Sequence, residues 1–303
     1  LKDAVDIEVG GRRLQISHLD KVLWPATGFT KAQMIDYYTR IAPVMLPHLE
    51  GYPVTLKRYP DGVDSDFFYE KECPAYHPDW VDTATMPSRN VRQRVNFCVV
   101  NNLPTLVWLA NLATIEMHTL LAKGDDLATP TCVAFDLDPG LPADVLDTAW
   151  AAERLREILA DSSLESFPKA SGGKGVHVYV PLNTPVTFEE TKAFAKGVAH
   201  LMESTYPDRI TSIMRKDLRG GKIFVDWSQN DPHKTTVCVY SLRARERPFI
   251  SAPVTWEEIE EARKHKHREA LAIEAWEALK RAEDHGDLFA PVLELKQHLP
   301  DLL

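Results

Sequence analysis

Thr131-Cys132-Val133-Ala134-Phe135-Asp136-Leu137-Asp138-Pro139-Gly140 is the stretch on which the fold turns. Its apolar, β-branched beginning predicts a strand, and Pro139-Gly140 ends it. Side chains of a strand alternate between faces, so Asp136 and Asp138 point the same way, about 7 Å apart. Two carboxylates on one face repel each other unless something positive lies between them. Their hard oxygens suit Mg²⁺ or Mn²⁺. Two such ions about 4 Å apart would activate an attacking hydroxyl and stabilise a leaving pyrophosphate. The plain alternative is a strand end carrying two solvated acids.

The chain on either side alternates strands and helices without a strict β-α-β rhythm. Residues 5–16 read as a hairpin around Gly10-Gly11. Thr30 and Gln33 form a capping box before Met34, Tyr38, Ile41 and Met45 at helical spacing, with Pro43 limiting that helix. Val54 to Tyr59 reads as a strand, residues 73–95 as a long exposed connection, and 104–121 as a mostly apolar helix. A helix is expected near 142–160, a strand at Val176 to Val180, and a helix from the Thr187/Glu190 capping box to about 204. Lys222 to Trp227 and Thr235 to Arg243 look like neighbouring strands joined by Ser228 to His233. Thr255 and Glu258 begin a charged helical region. This pattern predicts a mixed α/β (α+β) protein and not a doubly wound dinucleotide fold.

Three further segments carry chemistry. In Ser171-Gly172-Gly173-Lys174-Gly175-Val176-His177 the glycines let backbone N–H groups approach an anion, and Lys174 adds charge. The P-loop spacing is absent, and a strand follows where a P-loop helix would begin. Asp226 sits among Phe224, Val225 and Trp227 and needs a partner, either a metal or a nearby Arg. Arg243 and Arg245 would face one side of a strand end, as a phosphate clamp does. Taken singly these are also a glycine turn, an ion pair and solvated surface charge.

Together and in this order they resemble one family: the archaeo-eukaryotic primase superfamily, in the branch of the polymerase domain of bacterial DNA ligase D. The matching segments include Leu19-Asp20-Lys21-Val22-Leu23-Trp24-Pro25, Lys57-Arg58-Tyr59-Pro60-Asp61-Gly62, Phe67-Phe68, Glu116-Met117-His118, the D-L-D-P-G run, S-G-G-K-G-x-H and the late V-D-W. The resemblance implies two packed β-sheets flanked by helices. It implies a template-directed nucleotidyltransferase acting at short gaps or broken DNA ends, with Mn²⁺ or Mg²⁺ as two ions and a preference for ribonucleotides. Asp136, Asp138 and Asp226 then correspond to the metal-binding acids. Ser171, Lys174 and His177 correspond to ligands of the incoming triphosphate, with Arg243, Arg245 and His118 beside them. Phe67 and Phe68 match a pair that stacks on template bases. Lys21 and Lys31 match lysines that hold a downstream 5′-phosphate, and Lys57 and Arg58 join the DNA-contacting set. His18 stands where the family often has Asn in that pocket. Glu246-Arg247-Pro248-Phe249-Ile250 departs from the usual small-residue run.

Bulk properties set limits on partners. The chain has 303 residues, 44% apolar content and a net charge of −9, enough for a buried core and against coating nucleic acid by bulk charge. The positive charge is local. Residues 211–250 hold eight basic and four acidic side chains, and 256–303 hold seven basic and twelve acidic. The expected organisation is a catalytic domain over 1–255 and a charged, largely helical extension over 256–303. That tail, with no ligase or nuclease segment after it, favours a stand-alone protein. Cys73, Cys98, Cys132 and Cys238 are far apart with no C-x-x-C pair, which argues for reduced thiols in a cytoplasm. With the DNA-end role the resemblance implies, the expected location is cytoplasmic and nucleoid-associated. No apolar run approaches the roughly 18 residues of a membrane span. Expected partners are gapped or 5′-phosphorylated DNA, nucleoside triphosphates, and a DNA ligase or end-binding repair protein. Two other classes stay open: a non-catalytic end-binding module, and another metal-dependent phosphotransfer enzyme.

Overall fold

The structure is a computed structural model that describes residues 4–87 and 93–300. The elements run β1 (Ala4–Val9), β2 (Arg12–Ser17), β3 (Val22–Trp24), β4 (Phe29–Thr30), α1 (Lys31–Met45), β5 (Pro53–Arg58), β6 (Phe68–Glu70), β7 (Asp82–Pro87), β8 (Arg94–Val99), α2 (Leu103–Asn111) and β9 (Thr114–Thr119). They continue as β10 (Cys132–Pro139), α3 (Val145–Asp161), β11 (Phe167–Ala170), β12 (Val176–Pro181), α4 (Phe188–Thr205), β13 (Ile210–Thr211) and β14 (Ile223–Asp226). The last are β15 (Thr236–Val237), β16 (Ala252–Pro253), α5 (Trp256–Lys264), α6 (Ala275–His285) and α7 (Pro291–Glu294). The mixed α/β expectation holds, with two six-stranded sheets, one in each of two units.

These elements gather into two compact units. The first comprises residues 1–125, 235–250 and 274–286. Its sheet has the order β15-β9-β5-β8-β7, with β6 added on β5. Thr30 caps α1 through the predicted box, and the helix buries Met34, Tyr37, Tyr38, Ile41 and Met45. Tyr38 Oη donates to Ile115 O at 2.6 Å, tying α1 to β9.

The second unit comprises residues 126–234, 251–273 and 287–303. Its sheet order is β13-β14-β10-β12-β11-β16. Val133, Phe135 and Leu137 of β10 are fully buried, and α3 and α4 pack on that strand. Asp144 and Thr187 cap these helices through boxes with Asp147 and Glu190. The segment 256–303 serves both units: α5 and α7 belong to the second and α6 to the first.

Four expectations need correction. Residues 114–119 form β9 and not the second half of a helix. Ala113 has φ of 58°, a left-handed residue that ends α2, and Thr114-Ile115 then pair with the central strand β5. The stretch 73–95 contains β7 and the first two residues of its partner β8, while residues 88–92 of that expected connection lie outside the described residues. The strands near 222–227 and 235–243 are not neighbours: β14 pairs β10, whereas β15 pairs β9. The cysteines are not all reduced, because Cys73 and Cys98 form a disulfide. Sequence distance hid this contact. Cys73 N–H donates to Asn96 O, and the Glu72 carboxylate accepts from Asn96 N, bringing the two Cα atoms to 4.8 Å. Cys132 and Cys238 are free and buried.

Candidate active site

In the second unit one row of residues crosses four strands. Lys169 of β11 lies opposite His177 of β12, His177 opposite Asp136 of β10, and Asp136 opposite Asp226 of β14. Directly opposed side chains share a face with Cβ atoms about 5 Å apart. Asp138, two residues further along β10, points to that same face. The predicted acid trio is therefore assembled by register alone. Asp136 is half-buried and Asp138 is exposed.

Each member is held differently. His177 Nε2 lies 3.2 Å from Asp136 Oδ1. Behind it, Lys169 Nζ lies 3.0 Å from His177 Nδ1 and donates to Ser251 Oγ at 2.7 Å. Lys169 is only 1% exposed, with Nζ over the Tyr179 ring at 5.4 Å. A lysine can only donate when charged, so it assigns Nδ1 as the acceptor and Nε2–H as the group facing Asp136. Asp226 accepts from Ser228 N at 2.9 Å, Ser228 Oγ at 2.5 Å and Gln229 Nε2 at 2.9 Å, capping the turn Trp227–Gln229. Buried Asn230 completes the turn. Its amide pairs with both Ala134 N and Ala134 O, so it acts as an extra strand beside Asp136.

The glycine loop lies on the acids. Ser171 N–H donates to Gly175 O at 3.0 Å, and Gly172 takes φ of 72°. A Cβ on Gly175 would sit 3.0 Å from Leu137 O and Ser171 Oγ and 3.4 Å from Asp138 Oδ1. A side chain here would press on the strand backbone, so glycine lets the loop lie close against it. Ser171 is buried, and Lys174 is exposed at the tip. Three carboxylates on one face, two directly opposed, form a hard-oxygen donor set that fits a divalent cation. As they stand, no three His, Cys, Asp or Glu side chains among the described residues form a metal-holding group, and Asp226 is engaged by its own cap.

The first unit carries a cluster of opposite character. Glu116 of β9 is 1% exposed. Its Oε2 lies 2.9 Å from His118 Nε2 and 3.5 Å from Arg243 Nε. Its Oε1 accepts from Ala244 N at 3.0 Å and Lys57 Nζ at 3.4 Å. Burial alone would raise the Glu116 carboxyl, but the His118 hydrogen bond and the charges of Arg243, His118 and Lys57 hold it far below the usual range. Burial lowers His118 and Lys57, with Glu116 opposing both shifts. Lys57 Nζ also lies 4.3 Å from the Phe67 ring centre, 5.1 Å from Tyr59 and 5.7 Å from Tyr69.

The remaining predicted residues divide. Phe67 and Phe68 are 48% and 43% exposed, consistent with a stacking surface; Phe67 stacks on Tyr59 at 5.1 Å. Arg58 is committed to Glu70 Oε2 at 2.7 Å and Leu112 O at 2.9 Å. Lys21 pairs with Asp61 at 2.6 Å. Lys31 is 4% exposed and donates to Ser17 O and Asn111 Oδ1, both at 2.7 Å. Burial, helped by the charge of Lys21, lowers its pKa to about 8. His18 takes φ of 56° and is exposed. Arg243 and Arg245 do not share a strand face: they lie in a turn where Arg245 N–H donates to Arg243 O, and Arg245 is exposed. Lys169, Ser251, Asn230 and Glu116 as a site residue went unnoticed. Lys169 did leave a signal, a lone cation in a short apolar strand directly before the glycine loop.

A family model described as the LigD primase-polymerase domain matches residues 30–289. The Mycolicibacterium smegmatis multifunctional non-homologous end joining protein LigD is 38% identical over 282 residues, covering 92% of this chain and 36% of that protein. The Mycobacterium tuberculosis LigD repair protein is 41% identical over 258 residues, covering 82% and 34%. The chain thus spans about a third of the length of these relatives. Among solved structures, the polymerase domain of Mycobacterium tuberculosis ligase D in complex with DNA matches with a TM-score of 0.85 and 37% identity, covering 94% of this chain and 99% of that one. With most of its length matched in sequence and fold, the chain belongs to the LigD primase-polymerase domain family.

Proposed function

We propose that the chain adds nucleotides to primer ends by templated phosphoryl transfer at gaps or breaks in DNA. The observation that carries this reading is the cross-strand pair Asp136–Asp226, with Asp138 on the same face and a glycine loop packed against it. Asp136, Asp138 and Asp226 are the residues that would hold divalent ions, Mn²⁺ or Mg²⁺, two in number. Such ions supply positive charge that acidifies the primer hydroxyl and neutralises the leaving pyrophosphate. The loop's backbone N–H groups, Ser171 and Lys174 bind the triphosphate, and His177 offers Nε2–H at the edge of the acid row.

In the first unit, His118, Arg243 and Arg245 are assigned to the nucleotide. Phe67, Phe68, Lys57 and Arg58 are assigned to nucleic acid, and Lys21, Lys31 and His18 to a downstream 5′-phosphate. The relative solved with DNA and the end-joining names of the curated relatives support DNA repair as the setting. We assign catalysis to 1–255, with support from 256–303, a ribonucleotide preference, a ligase or end-binding protein as partner, and a cytoplasmic, nucleoid-associated location. No helix among the described residues is long and apolar enough to cross a membrane.

The test is primer extension on a short gapped duplex bearing a 5′-phosphate, with each rNTP or dNTP and either ion. Templated addition that is lost in Asp136→Ala/Asp138→Ala supports the reading. DNA binding with no addition under any condition overturns it in favour of an end-binding module.

A further inference from the structure

We propose that Glu116 is a positioning residue that presets Lys57, His118 and Arg243 and fixes the ring of His118 with Nδ1 as its acceptor. The inference rests on assigning this cluster to nucleotide and DNA contacts, and it adds a residue that touches neither.

Three observations carry it. First, both carboxylate oxygens are engaged. Glu116 accepts three hydrogen bonds, from His118 Nε2, Ala244 N and Lys57 Nζ, and its Oε2 is also ion-paired with Arg243 Nε at 3.5 Å, so each oxygen has two partners. Second, those groups come from three separate parts of the chain: Lys57 on β5, His118 on β9, and Arg243-Ala244 in the turn after β15. One buried side chain thereby sets the spacing of three basic groups that no single element could set. Third, the partners follow from register. Lys57 lies directly opposite Glu116, and Tyr69 lies opposite Lys57 on the other side, so the row Glu116–Lys57–Tyr69 crosses the sheet. His118, two residues along β9, shares the face of Glu116 and meets the Tyr69 ring edge-on at 6.2 Å.

The hydrogen-bond chemistry then determines the imidazole. An ionised carboxylate only accepts, so His118 Nε2 carries the proton donated to Oε2. In the neutral ring Nδ1 is left as acceptor, suited to a hydroxyl or N–H group of a ligand. Lys57 and Arg243 are the basic groups this arrangement presents to phosphate. Glutamine cannot replace Glu116, because its NH₂ would face two donors in a buried place.

The test reads His118 directly. Imidazole ¹⁵N spectra of the wild-type protein at neutral pH give the tautomer, with the signal assigned by its loss in His118→Gln. The expected result is the Nε2–H form, shifted towards Nδ1–H or a mixture in Glu116→Gln. In parallel, Glu116→Gln should lower kcat/KM for nucleotide addition by about 10- to 100-fold, with Glu116→Asp recovering part of the loss. A thermal melt shows that each variant is folded. A wild-type Nδ1–H tautomer overturns the proposal whatever the variants do. So does a folded Glu116→Gln protein that keeps both the tautomer and kcat/KM. If the wild type adds no nucleotide, the polymerase reading fails, while the spectra still decide the role of Glu116.

Discussion

The two units solve opposite electrostatic problems with the same device. In the second unit one sheet face is acidic, and the buried Lys169 amine holds it from behind through His177. In the first unit one sheet face is basic, and the buried carboxylate of Glu116 holds it from behind through three partners. In each case an opposed pair on antiparallel strands fixes the geometry, and one counter-charge with almost no exposure fixes the orientation. A buried charge of this kind is costly unless fully hydrogen-bonded, so it marks a place where arrangement matters more than stability.

The sharpest way to break the comparison is to remove charge from the acidic face. Asp138→Ala should lower nucleotide addition by about a thousandfold or more, since metal-held charge contributes several kcal/mol to phosphoryl transfer. Asp138 is exposed and the protein should keep its melting temperature. Full activity in a folded Asp138→Ala protein removes the metal assignment.

A second break separates the units by stability. The Cys73–Cys98 disulfide closes a loop across 25 residues of the first unit. Chain-entropy reasoning gives about 3.5 kcal/mol for such a closure. Reduction, or Cys98→Ser, should raise amide hydrogen exchange in β5, β7 and β8 and leave β10 and β12 unchanged. Equal exchange before and after reduction would show that the bond contributes nothing to the first unit.

A third prediction returns to the counter-charges. Lys169→Met keeps the shape of the side chain and removes the donor to His177 Nδ1 and Ser251 Oγ. The two acceptors left without that donor should cost about 1–3 kcal/mol of stability. The affinity for triphosphate should fall about tenfold, roughly 1.4 kcal/mol, as His177 loses its fixed tautomer. Triphosphate binding measured by calorimetry without DNA checks this, and unchanged affinity would leave Lys169 a purely structural residue.

What the sequence disclosed, and what it hid, follows the same division. The shared face of Asp136 and Asp138 was legible because strand alternation is local and a proline-glycine stop marks its end. The capping boxes at Thr30, Thr187 and Thr255 were legible for the same reason. Asp226, by contrast, joined the other two acids only through the family resemblance, since β14 meets β10 across 90 residues of chain. Glu116 was hidden by the helical reading of 104–121. On a helix, residues two apart do not share a face, so Glu116 and His118 could not be seen as a pair. Lys169 and Ser251 are 82 residues apart and meet only because β11 lies next to β16. The disulfide and the separation of β14 from β15 are equally non-local. Hydrophobic period and turn residues carry no information about which strands become neighbours.

The smallest expected effect concerns Lys31, a buried amine with no carboxylate partner among the described residues. Its partners are Ser17 O and Asn111 Oδ1, and Asn111 is itself fixed by Ser17 N and Gln15 O. Without a counter-charge, burial lowers its pKa from 10.5 to about 8. The sign for stability follows. Between about 8 and 10.5 the unfolded chain keeps a proton that the folded chain has released, so this group makes stability rise with pH across that window. The sign for binding is the reverse. A 5′-phosphate favours the charged amine, so the preference for phosphorylated over hydroxyl ends should fall as pH rises from 7 to 9, through about 8. The expected change is a few-fold, because one phosphate contact among many is weakened. Measured at fixed salt, Lys31→Arg should flatten that profile, since an arginine stays charged throughout. A wild-type preference constant across the range would place Lys31 in the scaffold, holding β2 to α2 through Asn111, with the phosphate left to other groups.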